Sequence, residues 1–129
     1  MEFVWNIEPM GAPRTTRADA WKQRPVILKY HRFRDLIAIE MKKVEREAGC
    51  KIWVRLDCLE VMFQIPMSKS WSKKKRIEMN GAFHQQKPDI DNLVKAVLDS
   101  IFRGGDDCKV ATIHAMKRWS NDGRIIITI

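Results

Sequence analysis

The sequence is poor in the residues that build disulfide frameworks and zinc sites. Its only cysteines, none of them in a Cys-x-x-Cys pair, are Cys50, Cys58 and Cys108. An odd and unpaired set predicts reduced thiols. The histidines are equally scattered and typical of packing or surface positions, and they are His31, His84 and His114. We therefore expect neither a disulfide scaffold nor a zinc centre.

Several other classes of protein also lack their signals here. No apolar run reaches the ~18 residues of a membrane helix, and Glu2 and Glu8 interrupt the N-terminus where a signal peptide would be apolar. There is no G-x-x-x-x-G-K-[ST] phosphate loop, and the spacings support no Ser-His-Asp or Cys-His arrangement. The chain shows no repeat, low-complexity tract or linker. We expect one soluble, cytoplasmic domain over residues 1–129.

The charge balance is strongly positive. Lys and Arg number 24 against 16 Asp and Glu, giving a net charge of +8. This indicates a polyanionic partner such as nucleic acid, although a membrane surface predicts the same sign. Trp71 could stack on an unpaired base or simply pack. Our candidates for DNA contacts, each of which could also be a solvated surface residue, are Arg14, Arg17, Lys69, Lys73, Lys74, Lys75, Arg76 and Lys87.

The first half of the chain predicts a strand, a basic loop and a helix. Apolar, β-prone residues favour a strand within residues 2–8. Glycine and prolines predict irregular backbone over residues 10–34, with Trp21 anchoring this loop on the core. Overlapping its end, apolar residues recur at helical spacing over residues 30–48, and Gly49 provides a stop.

The second half supplies the remaining strands. Residues 51–65 alternate apolar and polar side chains, with a phase slip that suggests a bulge or bend near Cys58. The other predicted elements are a short helix from Ser72 to Asn80-Gly81, and strands at residues 110–116 and 124–129, which Asp122-Gly123 should join as a hairpin. Together these elements predict an α+β fold, a small mixed sheet of about four strands packed with two main helices.

An acidic stretch stands at the entrance to the second main helix. In Lys87–Asp99 and just beyond, apolar residues at positions 90, 93, 94, 97, 98 and 101 form one buried helical stripe. Asp91 or Asn92 would cap this helix, and Gly104-Gly105 would end it. Asp89 and Asp91, two apart in an extended approach, would point the same way.

The acidic pair Asp106-Asp107 follows the helix and precedes the strand at residues 110–116. If that strand lies against the helix, one of these acids could approach Asp89 and Asp91. Three clustered carboxylates repel one another unless a divalent cation neutralises them, and oxygen ligands favour Mg²⁺ or Mn²⁺. The alternative is that the first pair is a helix cap and the second an ordinary turn.

The stretch Lys87–Asp99 with Asp106-Asp107 also resembles the signature of the RusA family of Holliday-junction resolvases, endodeoxyribonucleases common in bacteriophages and prophages. The likeness extends to Gly11-x-Pro13-Arg14 and to the basic insert before the signature. It implies a RusA-like fold and secondary roles for Asp99 and Asp106. The catalytic set that it implies comprises Lys95 and three metal-binding carboxylates, Asp89, Asp91 and Asp107.

The hypothesis is therefore a Mg²⁺-dependent endonuclease, with Mn²⁺ as a substitute, that resolves four-way DNA junctions in recombination and repair. Paired symmetric nicks suit a two-fold homodimer, which the resemblance implies. Its place of action would be the cytoplasm of a bacterial or phage-infected cell. Two alternatives stay open. One is a nuclease for flaps, forks or other branched DNA, and the other is a non-catalytic binding protein in which Asp89 and Asp91 merely cap a helix.

Overall fold

Among the described residues, three α-helices and four β-strands form the main regular structure, in the α+β arrangement that the sequence predicts. A computed structural model describes residues 1–22, 24–51, 53 and 56–129. In chain order the elements are β1 (Glu2–Trp5), α1 (Pro25–Ala48), β2 (Cys58–Pro66), α2 (Lys73–Met79), α3 (Ile90–Ile101), β3 (Thr112–Ser120) and β4 (Arg124–Thr128). None of the described helices combines the length and hydrophobicity that crossing a membrane requires.

The sheet is mixed and is organised around β2. Its strand order is β1-β4-β2-β3, with β2 and β3 parallel and β4 antiparallel to both β1 and β2. Phe63 at the middle of β2 is opposite Lys117 of β3 on one side and Ile125 of β4 on the other. Since Leu59, Phe63 and Ile125 are fully buried, the core lies against this central strand.

The expected hairpin between β3 and β4 is wrong. The two strands lie on opposite sides of β2, and the turn at residues 121–123 passes the end of β2, where the Met67 amide donates to the Ser120 carbonyl at 2.9 Å. An Asp-Gly pair fixes a turn but not the pairing of the strands around it. Here β3 and β4 each pair with the apolar strand β2, which lies between them. Gly123 is required because a Cβ there would lie 2.9 Å from the Glu8 Cα.

Helix α1 begins earlier than its apolar spacing predicts. It starts at Pro25 rather than near residue 30, so residues 10–34 are not irregular throughout. Proline suits a first helical position because its φ is fixed and its missing N–H would have had no partner. Gly49 ends the helix with φ of 69°, as predicted. Its buried stripe packs α1 on α3 and consists of Ile27, Tyr30, Phe33, Ile37 and Val44.

The loop before α1 is not anchored by its tryptophan. Trp21 is 72% exposed, so its predicted packing role is wrong. Arg24 organises this segment instead, because its guanidinium donates to the Asp19 carboxylate at 2.7 Å and to the Arg14 carbonyl at 2.8 Å. The same ion pair lowers the pKa of Asp19 to about 2. A polar contact therefore shapes the loop where an apolar contact was expected.

In the described part of the strand expected over residues 51–65, the structure has β2. It begins at Cys58, where the alternation changes phase, and the expected Ile52 and Val54 positions lie outside the described residues. Asp57, just before β2, accepts hydrogen bonds at its carbonyl from Ala111 at 2.8 Å and Thr112 at 3.1 Å. These bonds fix the start of β3 beside the start of β2 and set the parallel register.

Candidate active site

The acidic pair lies at the first turn of α3. The N-cap is Asp89, with extended dihedrals of −69° and 145°, so the predicted caps Asp91 and Asn92 are wrong. Asp91 is already in the helix, so the extended geometry expected for Asp89 and Asp91 is also wrong. The Asp89 side chain makes no capping hydrogen bond. Two exposed carboxylates thus sit at the positive end of the helix dipole, which partly offsets their charge.

Two other parts of the chain hold this turn in place. The Lys117 ammonium of β3 donates to the carbonyls of Gln86 at 2.6 Å and Pro88 at 2.8 Å. The Ala12 amide donates to the Asn92 carbonyl at 3.1 Å. The backbone around Asp89 is therefore fixed from the sheet and from the N-terminal segment.

Sequence reasoning missed Lys117 completely, because a lone lysine in a strand carries no signal. The contact between the N-terminal segment and α3 did have a signal in the sequence, which is Gly11. A Cβ on Gly11 would lie 3.3 Å from the Asn92 Cβ, so the glycine of the Gly11-x-Pro13-Arg14 segment allows this close approach to α3.

The second acidic pair lies beyond the other end of α3. Asp106 and Asp107 are exposed in a 3₁₀ turn, Asp106–Lys109, where the Lys109 ammonium is 3.7 Å from the Asp106 carboxylate. The 12 residues of α3 rise about 18 Å between the two acidic pairs. Strand β3 then runs back, so that Lys117 and not its start lies beside Pro88.

The described residues of one chain consequently do not gather the three predicted ligands. Among residues 1–22, 24–51, 53 and 56–129, no three Asp, Glu, His or Cys side chains are arranged to hold a metal ion. Asp89 and Asp91 still suit Mg²⁺, which is commonly bound by one or two carboxylates together with water and substrate phosphates. The participation of Asp107 stays a prediction.

Lys95 and Asp99, further along α3, have different roles. Lys95 is exposed one turn after Asp91. Asp99, a further turn along, joins α3 to α1, since its carboxylate accepts from the Tyr30 hydroxyl at 3.3 Å and its carbonyl accepts from Arg34 at 3.2 Å. Burial, together with the negative charge of Asp99, raises the pKa of Tyr30 to about 12. Asp99 therefore has a packing role, and Lys95 is available to a ligand.

The basic insert forms a docked arm beside the start of α3. As predicted, Ser72 caps α2 by accepting from the Lys75 amide at 3.2 Å, and the helix ends just before Asn80. The Trp71 ring packs on Trp119 with centroids 4.8 Å apart, and the Lys75 ammonium lies 4.2 Å from its centre. Of the predicted DNA contacts, Arg76 is half-buried, and the others besides Lys75 are also exposed, namely Arg14, Arg17, Lys69, Lys73, Lys74 and Lys87.

His84 is a packing histidine of this region. Only 3% of it is exposed, and its ring lies 4.2 Å from the Trp119 ring. Burial, followed by the nearby positive charge of Lys117, lowers the pKa of His84. His84 therefore packs beside Trp119, which also supports Trp71 of the arm.

Comparison with known protein families identifies the family to which these features belong. The model of the family described as endodeoxyribonuclease RusA matches residues 6–129. The chain belongs to the RusA family of endodeoxyribonucleases. The matched range includes Gly11, the basic arm and both acidic pairs. No individually curated protein matches the chain.

Proposed function

We propose that this RusA-family chain is a Mg²⁺-dependent endonuclease that resolves four-way DNA junctions by paired, symmetric nicks during recombination and repair. The observation that carries the proposal is the family match over residues 6–129, together with two exposed carboxylates at a braced helix start. We further propose that it acts as a homodimer, because two strands of opposite arms must be cut and a two-fold pair presents one site to each.

The proposed site assigns separate tasks to acidic and basic residues. Asp89 and Asp91 would hold the Mg²⁺ ion, with Asp107 as a third acidic residue, and the bound ion would supply Lewis-acid polarisation of the scissile phosphate. Lys95, one turn from Asp91, would offset negative charge that develops on the phosphate. Mn²⁺ should substitute for Mg²⁺, since it accepts the same oxygen ligands.

DNA would be held mainly through its phosphates. The proposed contacts extend from the N-terminal arginines to the arm before α3, and comprise Arg14, Arg17, Lys69, Lys73, Lys74, Lys75, Arg76 and Lys87. These contacts position the strand and give binding a strong dependence on salt concentration. Selectivity for junctions would then come from the shape of the DNA and not from its sequence.

A panel of synthetic substrates tests the proposal. Purified protein is incubated with Mg²⁺ and a labelled four-way junction, a flap, a fork or a linear duplex, and the nicked strands are mapped. We expect cleavage of the junction at symmetry-related positions and none of the linear duplex. Preferred cleavage of flaps or forks would overturn the junction assignment. Absence of cleavage on every substrate with Mg²⁺ or Mn²⁺ would leave a DNA-binding protein.

A further inference from the structure

A cleft lies between α2 and the turn that joins β3 to β4, apart from the proposed catalytic residues. Its volume is about 490 Å³, within the roughly 300–1,000 Å³ typical of ligand sites. Its lining consists of Trp71, Lys73, Arg76, Ile77, Asn80 and Asn121. We propose that this cleft binds one unpaired nucleotide of branched DNA. The proposal rests on the proposed function and assigns a substrate-binding role that the acidic site does not supply.

The chemistry of the lining matches the three parts of a nucleotide. Trp71 and Ile77 offer apolar contact to a base, and Ile77 is 71% exposed although it is aliphatic. Lys73 and Arg76 offer cations to a phosphate, and the Asn80 amide, like that of Asn121, can both donate to and accept from a base edge. No described lining residue is acidic. An anionic ligand with a flat apolar ring therefore fits this cleft.

The wall of the cleft is rigid. Trp71 packs on Trp119 and contacts the Lys75 ammonium, and both contacts restrain its ring. The end of the arm is tied to β3, because the Gly81 amide donates to the Trp119 carbonyl at 2.9 Å and Arg118 donates to the Gly81 carbonyl at 2.7 Å. A preformed cleft loses little conformational entropy when a ligand binds.

The cleft also lies close to the acidic pair. Lys117 and Trp119 are two residues apart on β3, so their side chains lie on the same face of the sheet, about 7 Å apart along the strand. Lys117 holds the carbonyl of Pro88 next to Asp89, and Trp119 supports Trp71 in the cleft wall. A strand that passes Asp89 would thus bring a nucleotide a short distance along it to the cleft. At the crossover of branched DNA the stacking of base pairs is interrupted, so taking a nucleotide out of the stack costs less there than in a linear duplex.

Affinity measurements on two cleft variants test the proposal. Binding of a short fluorescein-labelled oligothymidylate and of a linear duplex is followed by anisotropy at one fixed salt concentration. We expect Arg76→Gln and Ile77→Ser to weaken single-strand binding roughly tenfold, since a base contact contributes on this scale. Duplex binding should weaken less than about threefold. The matched control is Lys74→Gln, which removes one charge from the same helix outside the cleft lining and should weaken both ligands equally.

Three outcomes would overturn the cleft proposal. The first is equal affinity of the unaltered protein for single strand and duplex. The second is a loss in Arg76→Gln no different from that in Lys74→Gln, because the arm would then act by charge alone. The third is an unchanged single-strand affinity in Ile77→Ser. If selective single-strand binding persists while no branched substrate is cleaved, the cleft stands and the nuclease proposal fails.

Discussion

The two ends of α3 carry acidic pairs in different surroundings. At its start, the backbone around Asp89 is held by Lys117 from the sheet and by Ala12 from the N-terminal segment. At its end, Asp106 and Asp107 stand in an exposed turn, and the ion pair there joins Asp106 to Lys109 within that same turn. A site that must position reacting groups gains from the first kind of support, because fixed backbone removes the cost of ordering it.

From this difference we expect the start of α3 to be the prepared half of the proposed site. The separation of the two acidic pairs by the length of α3 leads to the same expectation.

Neutralising one acid at each end should give unequal losses. We expect Asp89→Asn to reduce junction cleavage at least about 100-fold, because it removes a proposed metal ligand and leaves a side chain of the same size. Asp106→Asn should reduce cleavage less than about threefold, since the ion pair of this residue among the described side chains is an exposed one with Lys109 at 3.7 Å. Cleavage rates with Mg²⁺, with junction affinity measured in parallel, check both. Similar losses at the two positions would show that Asp106 is needed for cleavage as much as Asp89.

Mixed homodimers should reveal how Asp107 reaches the acidic pair. Because one chain keeps Asp107 apart from Asp89, we expect the site to draw these residues from different copies. Asp89→Asn and Asp107→Asn proteins should each be inactive. When they are unfolded together and refolded, half of the dimers should be mixed with one intact site each, restoring about a quarter of normal nicking.

If both carboxylates act within one chain, the mixture stays as inactive as its components. Co-refolding unaltered protein with each variant provides the matched control. Its mixed dimers keep one intact site and nick only one strand of a junction, so the appearance of singly nicked product shows that subunits exchange and that mixed dimers fold.

Removing the lysine brace should slow cleavage without weakening DNA binding. Lys117→Met loses the donors to Gln86 and Pro88 but keeps a long side chain. We expect kcat to fall about tenfold while junction Kd changes less than about twofold, because a displaced Asp89 affects the reacting geometry. Lys117→Arg, which retains donors, should recover part of the rate. A change in Kd alone would show that Lys117 contacts DNA and does not position Asp89.

The glycine contact at the start of α3 should appear in stability. A valine at Gly11 would crowd the Asn92 Cβ, which lies 3.3 Å from the first added carbon. We expect Gly11→Val to lower the free energy of unfolding by about 1–3 kcal/mol in urea titrations. Gly104 near the other end has no atom within 4 Å of such a carbon. Gly104→Val should therefore change stability by less than about 0.5 kcal/mol. Equal effects of the two variants would show that the close approach of Gly11 to Asn92 does not matter for stability.

The smallest expected effect is a pH dependence from His84. Burial and Lys117 hold its pKa in the folded chain below the usual 6.5. Protonation of His84 therefore lowers the free energy of unfolding. The stability that His84 contributes is present above its unfolded-state pKa and is lost as the pH falls through its folded-state pKa. We expect Tm to decrease from about pH 7 to about pH 5 less steeply in His84→Gln than in the unaltered protein. His31→Gln, at an exposed position, is the control.

Locally encoded features were predictable. The helix α3, the stop at Gly49 and the Ser72 cap each depend on neighbouring residues, and all three are confirmed. The predicted stripe of α3 is only partly right, because Leu93, Val97 and Ile101 are buried but Ile90 is exposed. The Asp-Gly turn also forms, but its strands pair with β2 and not with each other. Trp21 failed as a core anchor because burial depends on what packs above a side chain, which its neighbours in sequence do not specify.

The sequence by itself determined the acidic helix start, the basic arm and the family to which they belong, since these follow from residue type and short spacing. Tertiary structure alone decided that β2 separates β3 from β4, that Lys117 holds the approach to Asp89, and that α3 separates the two acidic pairs. The physical reason is that these relations join residues distant in the chain. Their geometry is set by which apolar surfaces the sheet and helices bury together.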